Sequence, residues 1–266
     1  MPNLKYEYVK LSHGRTRYIE AGSGAPVILI HGAGYLANAD NWLPVLPALS
    51  ERYRCLAMDC LNWGLGDPLD REFSFAYLVD FIREFQDAMG LKKSHIVGHS
   101  MGGWLADLLA YESPQRVDKL VDSAGGGMAT RALTNMVNFQ PPSSEEIRKQ
   151  AATKLKSMGA QADALVEEYV THLSRPEVAT AFGKVMRHMT DPATRQRYHL
   201  ARRLPYITAP TLIVWGRNDE VNDVAMAEEK HKLIANSKVH YIDDCGHFIQ
   251  QQKPAEFSRA VSDFLG

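Results

Sequence analysis

Cysteine is scarce in this chain: Cys55, Cys60 and Cys245 are the only three among 266 residues. They are too few and too unevenly spaced for a disulfide framework or a paired-cysteine metal knuckle, so packed thiols in a reducing compartment are expected. Long apolar runs are missing as well. No segment approaches the ~18 consecutive apolar residues that span a bilayer, and the opening Met-Pro-Asn-Leu-Lys-Tyr-Glu-Tyr places charges where a signal peptide needs an apolar stretch. A cytoplasmic protein without a membrane partner is the expectation. Neither sign of charge prevails, because 30 Lys and Arg stand against 31 Asp and Glu for a net charge of -1. Such a balance creates no field that favours nucleic acid, which is excluded as a partner. No internal repeat or low-complexity tract stands out.

What is present is an ordinary globular composition, 45% apolar and 23% charged. The length fits either one α/β domain carrying an insertion or two small domains. From Leu4 to Ala21 two β-prone stretches flank Ser12-His13-Gly14, the pattern of a hairpin. Val27-Ile28-Leu29-Ile30 is wholly apolar, as befits a strand buried on both faces, and it stops at His31-Gly32-Ala33-Gly34. A helix is expected around Asn41 to Leu49, then a second buried strand over Tyr53 to Met58, ending in Asp59. Phe75, Leu78, Val79, Ile82, Phe85 and Met89 recur at close to a helical period, with Gly90 at the C-cap. Ser94 to Val97 is a strand that runs into Gly98-His99-Ser100-Met101-Gly102-Gly103, followed by a helical stretch through Leu105, Leu108 and Leu109. Val117 to Val121 is another strand, closed by Gly125-Gly126-Gly127.

Between Met128 and Pro205 the short apolar runs disappear and helical periods take over. Ser143-x-x-Glu146 is a capping-box signature, followed by Ile147, Ala151, Leu155 and Met158 on one face, and four or five short helices are expected. Strand patterns return at Thr211 to Trp215 and Val239 to Ile242, and Phe257 to Leu265 reads as an amphipathic helix. Alternating strands and helices imply an α/β fold with a mostly parallel central sheet flanked by helices. Residues 1–126 and 206–266 then form two parts of one core, with 127–205 inserted as a helical cap.

Gly98-His99-Ser100-Met101-Gly102 matches G-x-S-x-G between a strand and a helix. That context puts the serine on a sharp turn with its hydroxyl exposed above the sheet. A serine hydroxyl is a weak nucleophile at neutral pH and needs a base. Of ten histidines, His247 is the best placed, in Asp243-Asp244-Cys245-Gly246-His247-Phe248 just after a strand. His31, at the end of a buried strand beside Gly32, suits a structural hydrogen-bonding role. The base in turn needs a carboxylate to hold its tautomer. Asp219, in Trp215-Gly216-Arg217-Asn218-Asp219, completes the chain order Ser, Asp, His, and Asp122 at the end of the preceding strand is the alternative acid. An attacked carbonyl develops an oxyanion that calls for two donors, for which the amides of Ala33 and Met101 are the candidates. Neither a P-loop nor a dinucleotide fingerprint fits the glycines after His31, so no cofactor and no metal are expected.

Together, His31-Gly32, Gly98-His99-Ser100-Met101-Gly102-Gly103, Trp215-Gly216-Arg217-Asn218-Asp219 and Gly246-His247 give the chain, over nearly its whole length, a resemblance to the α/β-hydrolase superfamily. Within it, the Gly-rich loop after His31, Asn41 before Trp42, and Ser123-Ala124-Gly125-Gly126 are most similar to meta-cleavage product hydrolases. That resemblance implies hydrolysis of a carbon–carbon bond in 2-hydroxy-6-oxo-dienoates from aromatic-ring degradation. It also implies substrate contacts from Asn41, Arg175 and Phe248, and leaves a homodimer open. A surface arginine before Pro176 is the other reading of Arg175. Two departures are visible: Phe248 stands where many of these enzymes carry Trp, and Cys60-Leu61-Asn62-Trp63-Gly64 replaces a Pro-Gly-containing turn. Carboxylesterase activity is therefore the alternative, and a non-catalytic receptor-like role a more distant one. Met136, Phe139, Phe182 and Met186 are candidates for the wall of the pocket or for plain cap core.

Overall fold

Apolar runs too short for helices become the middle of one eight-stranded sheet. The computed structural model describes residues 4–72, 74–132 and 134–266. A hairpin of β1 (Lys5–Leu11) and β2 (Gly14–Ala21) opens the chain. β3 (Ala25–Ile30) and β4 (Tyr53–Met58) follow, with Val27 to Ile30 fully buried. Between them the helix expected around Asn41 to Leu49 is broken in two. A 3-10 turn over Ala39–Trp42 is capped by the Asn38 side chain, and a single turn α1 (Leu46–Leu49) has Pro47 in its first turn. Pro44 supplies no N–H at the join, so a continuous ladder is denied there.

Next come α2 (Phe75–Ala88), β5 (Ser94–His99), α3 (Met101–Glu112) and β6 (Val117–Ser123). The helical stretch then holds α4 (Thr134–Val137), α5 (Ser144–Leu155), α6 (Ala162–Leu173), α7 (Pro176–Thr190) and α8 (Pro192–Arg197). Ser143 starts α5 with a reciprocal capping box to Glu146. β7 (Thr211–Gly216), α9 (Ala225–Leu233), β8 (Ser237–Ile242), α10 (Ile249–Gln252) and α11 (Pro254–Leu265) complete the chain.

The strand order is β1-β2-β4-β3-β5-β6-β7-β8. β2 runs antiparallel to β4, and every pair from β4 to β8 is parallel. Parallel strands present all their C-terminal ends on one edge, which is where ligand sites of such sheets lie. The loops carrying Ala33, Ser100, Asp219 and His247 all leave from that edge. β6 and β7 are direct neighbours, from Leu120 opposite Thr211 to Ser123 opposite Val214, so the helices between them leave the sheet and return to it.

Buried polar groups fasten those helices to the sheet. Arg17 of β2 forks onto both oxygens of Asp40 and donates to Tyr169 Oη of α6 at 2.9 Å, while the Tyr169 hydroxyl donates to Asp40. Tyr35 donates to the Leu173 carbonyl at 2.6 Å. Among the described residues no helix is long and apolar enough to cross a membrane.

Candidate active site

Ser100 is the residue between β5 and α3 and has φ 57°, a left-handed conformation that costs a non-glycine residue of order 1–3 kcal/mol. The turn is clamped: Ser100 N–H donates to the Ser123 carbonyl, and its own carbonyl accepts from Trp104 and Gly126. Its tightness explains the flanking glycines. A Cβ on Gly98 would lie 2.2 Å from the Gly102 carbonyl oxygen, and one on Gly102 would lie 2.1 Å from that of Ile30.

Above this turn stands His247. Its Nε2 lies 2.9 Å from Ser100 Oγ and its Nδ1 lies 2.9 Å from Asp219 Oδ2. The other carboxylate oxygen of Asp219 accepts the amides of Val221 and Asn222 at 2.8 and 2.9 Å, which fixes the carboxylate plane. With Nδ1–H donating to Asp219, Nε2 is left as the acceptor for the serine proton. Ser100 is half-buried, so a reactant can reach it.

Asp122, the alternative acid, is engaged elsewhere. Its Oδ2 receives Lys230 Nζ at 2.5 Å, Lys230 also reaches Asp107 Oδ2 at 2.8 Å, and all three side chains are fully buried. Burial raises the Asp107 carboxyl above its ordinary range, although Lys230 opposes the shift. This cluster lies beneath the serine turn, where Asp122 Oδ1 packs against Gly103 and Gly125.

Two further histidines hold the site, and sequence reading assigned a role only to the first. His31 is fully buried, and desolvation drives its pKa down to about 3, so it is neutral. Cys60 N–H donates to His31 Nε2 at 2.9 Å, which leaves Nδ1–H to donate to the Gly32 carbonyl at 2.7 Å. His99 is also forced down to about 3, by desolvation first and by the neighbouring His247 second. As a neutral ring it donates from Nε2 to the His247 carbonyl at 2.9 Å. The only sequence signal for His99 was its place next to the serine.

The two oxyanion candidates belong to segments that neighbour Ser100. Met101 opens α3, and the loop of Ala33 passes so close that a Cβ on Gly32 would lie 3.2 Å from Ser100 Cβ. Gly34 faces open solvent. Phe248 is 46% exposed, with its ring 5.3 Å from that of His247, at the lip of the site. Asn41 is buried in the 3-10 turn, its backbone N–H donating to the Asn38 carbonyl at 3.1 Å.

Arg175 is not brought to this centre. Its side chain is half exposed at the start of α7 and pairs with Glu177, Nε to Oε1 at 2.8 Å, an arrangement that matches the surface reading of this residue. Phe182 is buried against Tyr35, Trp63 and Phe139. Met136, Phe139 and Met186 line a cleft of about 420 Å³ together with Thr180 and Arg187.

Residues 25–254 match the family model described as alpha/beta hydrolase fold. The chain is 31% identical to a 2-hydroxy-6-oxononadienedioate/2-hydroxy-6-oxononatrienedioate hydrolase of Cupriavidus pinatubonensis, over 93% of this chain and 89% of the relative. Among solved structures it is similar to the meta-cleavage product hydrolase of Pseudomonas fluorescens IP01, at 28% identity and a TM-score of 0.77, covering 97% of each chain. It is also similar to a bacterial membrane phospholipase A, at 27% identity and a TM-score of 0.78, covering 98% of this chain and 86% of the other.

Proposed function

The chain belongs to the alpha/beta hydrolase fold family, and on that premise we propose that it is a serine hydrolase that cleaves a carbon–carbon bond in 2-hydroxy-6-oxo-dienoate ring-fission products. Ser100 is the nucleophile, His247 the base and Asp219 the carboxylate that orients it. The observation that carries this reading is the unbroken relay from Ser100 Oγ through His247 to Asp219, with both contacts at 2.9 Å.

Attack of Ser100 Oγ on the substrate carbonyl passes the hydroxyl proton to His247 Nε2, and Asp219 stabilises the imidazolium that forms. The amides of Ala33 and Met101 receive the developing oxyanion. For carbon–carbon cleavage the dienol must first become a ketone, and His247 moves that proton as well. The carbon–carbon bond then breaks with its electron pair leaving on the dienoate fragment, which takes the proton from His247, and water releases the acyl group left on Ser100 with the neutral His247 as base. The kinship with dienedioate hydrolases supports this substrate class, and the helical stretch 127–205 acts as the cap over it. Three free cysteines fit a cytoplasmic location, and size-exclusion chromatography tests the homodimer.

One observation favours a second reading, a carboxylesterase. Arg175, the group expected to face a substrate carboxylate, is held by Glu177 at the surface, and a phospholipase is among the similar structures. Comparing kcat/KM on p-nitrophenyl butyrate and on a 2-hydroxy-6-oxo-dienoate separates the two. A strong preference for the simple ester rejects the carbon–carbon reading. Full turnover by Ser100→Ala rejects both.

A further inference from the structure

The loop Cys60-Leu61-Asn62-Trp63-Gly64 leaves β4 without the usual Pro-Gly turn and has no part in the relay. It nevertheless grips the loop of Ala33. Cys60 N–H sets the tautomer of His31, and His31 Nδ1–H holds the Gly32 carbonyl. Trp63 Nε1 donates to the carbonyls of both Ala33, at 3.3 Å, and Gly34, at 3.1 Å. In a planar trans peptide the N–H points away from its C=O. The Ala33 N–H shares its peptide with the Gly32 carbonyl, so the His31 contact sets its direction, and Trp63 anchors the next two peptide units, against which the Ala33 peptide would otherwise turn.

The same loop is tied to the cap. The Trp63 ring, 2% exposed, meets that of Phe182 edge-on with centroids 5.3 Å apart. Asn62, at φ 71°, donates from Nδ2 to the Ala181 carbonyl of α7 at 3.1 Å and accepts the Leu69 amide at 2.7 Å. Asn is among the few residues other than glycine that adopt this conformation readily.

We propose that Trp63 is a positioning residue for the oxyanion hole: its indole N–H locks the Ala33–Gly34 turn, and its packing on Phe182 makes that lock depend on where α7 sits. This rests on the serine-hydrolase reading above. A substrate that seats α7 then also aligns the hole.

Trp63→Phe keeps a ring against Phe182 and removes the N–H donor together with part of the buried indole. Replacing Trp63 with 3-benzothienylalanine, an isostere without N–H, removes the donor with the full ring shape kept, and it decides the matter should Trp63→Phe fail to fold. On a p-nitrophenyl ester kcat falls about tenfold with KM unchanged, a partial loss of what a whole oxyanion donor contributes. The affinity for an alkyl boronic acid, which forms a tetrahedral adduct on Ser100, weakens by the same factor. Phe182→Leu weakens boronate binding by a smaller factor, with the indole still in place. Wild-type boronate affinity in the Trp63 variants overturns the proposal, even if kcat falls, and wild-type affinity in Phe182→Leu overturns the link to the cap. Turnover by Ser100→Ala would instead bring down the serine-hydrolase reading itself.

Discussion

His99 Nε2 lies 2.9 Å from the carbonyl oxygen of His247, so the side chain just before the nucleophile holds the backbone of the residue that contacts it. Both ends of the Ser100–His247 contact are thereby tied to one short segment. His99→Leu removes this donor. Its kcat is expected to fall roughly tenfold with KM little changed, since small misplacements of a reacting pair are costly. His99→Asn keeps an N–H donor and should recover most of the loss. Steady-state kinetics of the two variants provide the check.

His99 also bears on acid stability. Its folded pKa of about 3 lies below the unfolded value near 6.5, because burial disfavours the charged ring. Between those values the unfolded chain binds the extra proton, so stability is complete above about pH 6.5 and is lost as the pH falls toward 3. His31, also at about 3, acts in the same direction. Urea denaturation of wild type and His99→Asn at stepped pH should show the wild type losing stability more steeply over this window. Parallel curves would count against a neutral His99.

Asp219 and Asp122 are expected to respond to the same chemical change in opposite ways. Asp219→Asn removes the acceptor for His247 Nδ1–H and should lower kcat by about 10⁴ without unfolding the protein. Asp122→Asn leaves that relay intact, so the folded fraction should retain kcat within a few-fold while the melting temperature drops. Equal kinetic damage from both would contradict the roles drawn from the His247 and Lys230 contacts.

Lys230 bridges two buried carboxylates. Lys230→Met leaves Asp107 and Asp122 uncompensated and should cost about 3–5 kcal/mol of unfolding free energy, measured by chemical denaturation. Adding Asp107→Asn should recover part of that loss.

The bond from α6 to the core can be tested alone. Tyr169→Phe removes the hydroxyl shared by Arg17 and Asp40 while leaving the ring packed, at an expected cost of about 1–3 kcal/mol in stability. A melting temperature identical to wild type would show that this buried link adds nothing.

Much of this protein is legible in its sequence. Val27 to Ile30 and Thr211 to Trp215 read as buried strands because a strand covered on both faces needs apolar side chains at every position. Ser143 and Glu146 marked the start of α5 because capping is a local exchange of hydrogen bonds. The serine turn was visible for a similar reason: its glycines answer to backbone crowding within a few residues. The order of Ser100, Asp219 and His247 along the chain followed from the strands that carry them.

Other features depended on partners that sequence does not announce. The expected Asn41–Leu49 helix is broken at Pro44, which lies between the 3-10 turn and α1 and supplies no N–H. Arg175 went to Glu177, two residues away, and nothing in the pattern of apolar residues says whether such a side chain faces a pocket or solvent.

The sequence by itself determined the sheet, the serine turn and the order of the chemical groups, because these rest on short-range sterics and on burial pattern. Only the tertiary structure decided which aspartate meets His247, that His99 and His31 are neutral donors, and that Trp63 grips the loop of Ala33. Each of those turns on a contact between segments far apart in the chain, such as Asp122 with Lys230 across 108 positions. Charge, tautomer and hydrogen-bond direction are set by what the fold places a few ångströms away, and that is a property of the packed chain.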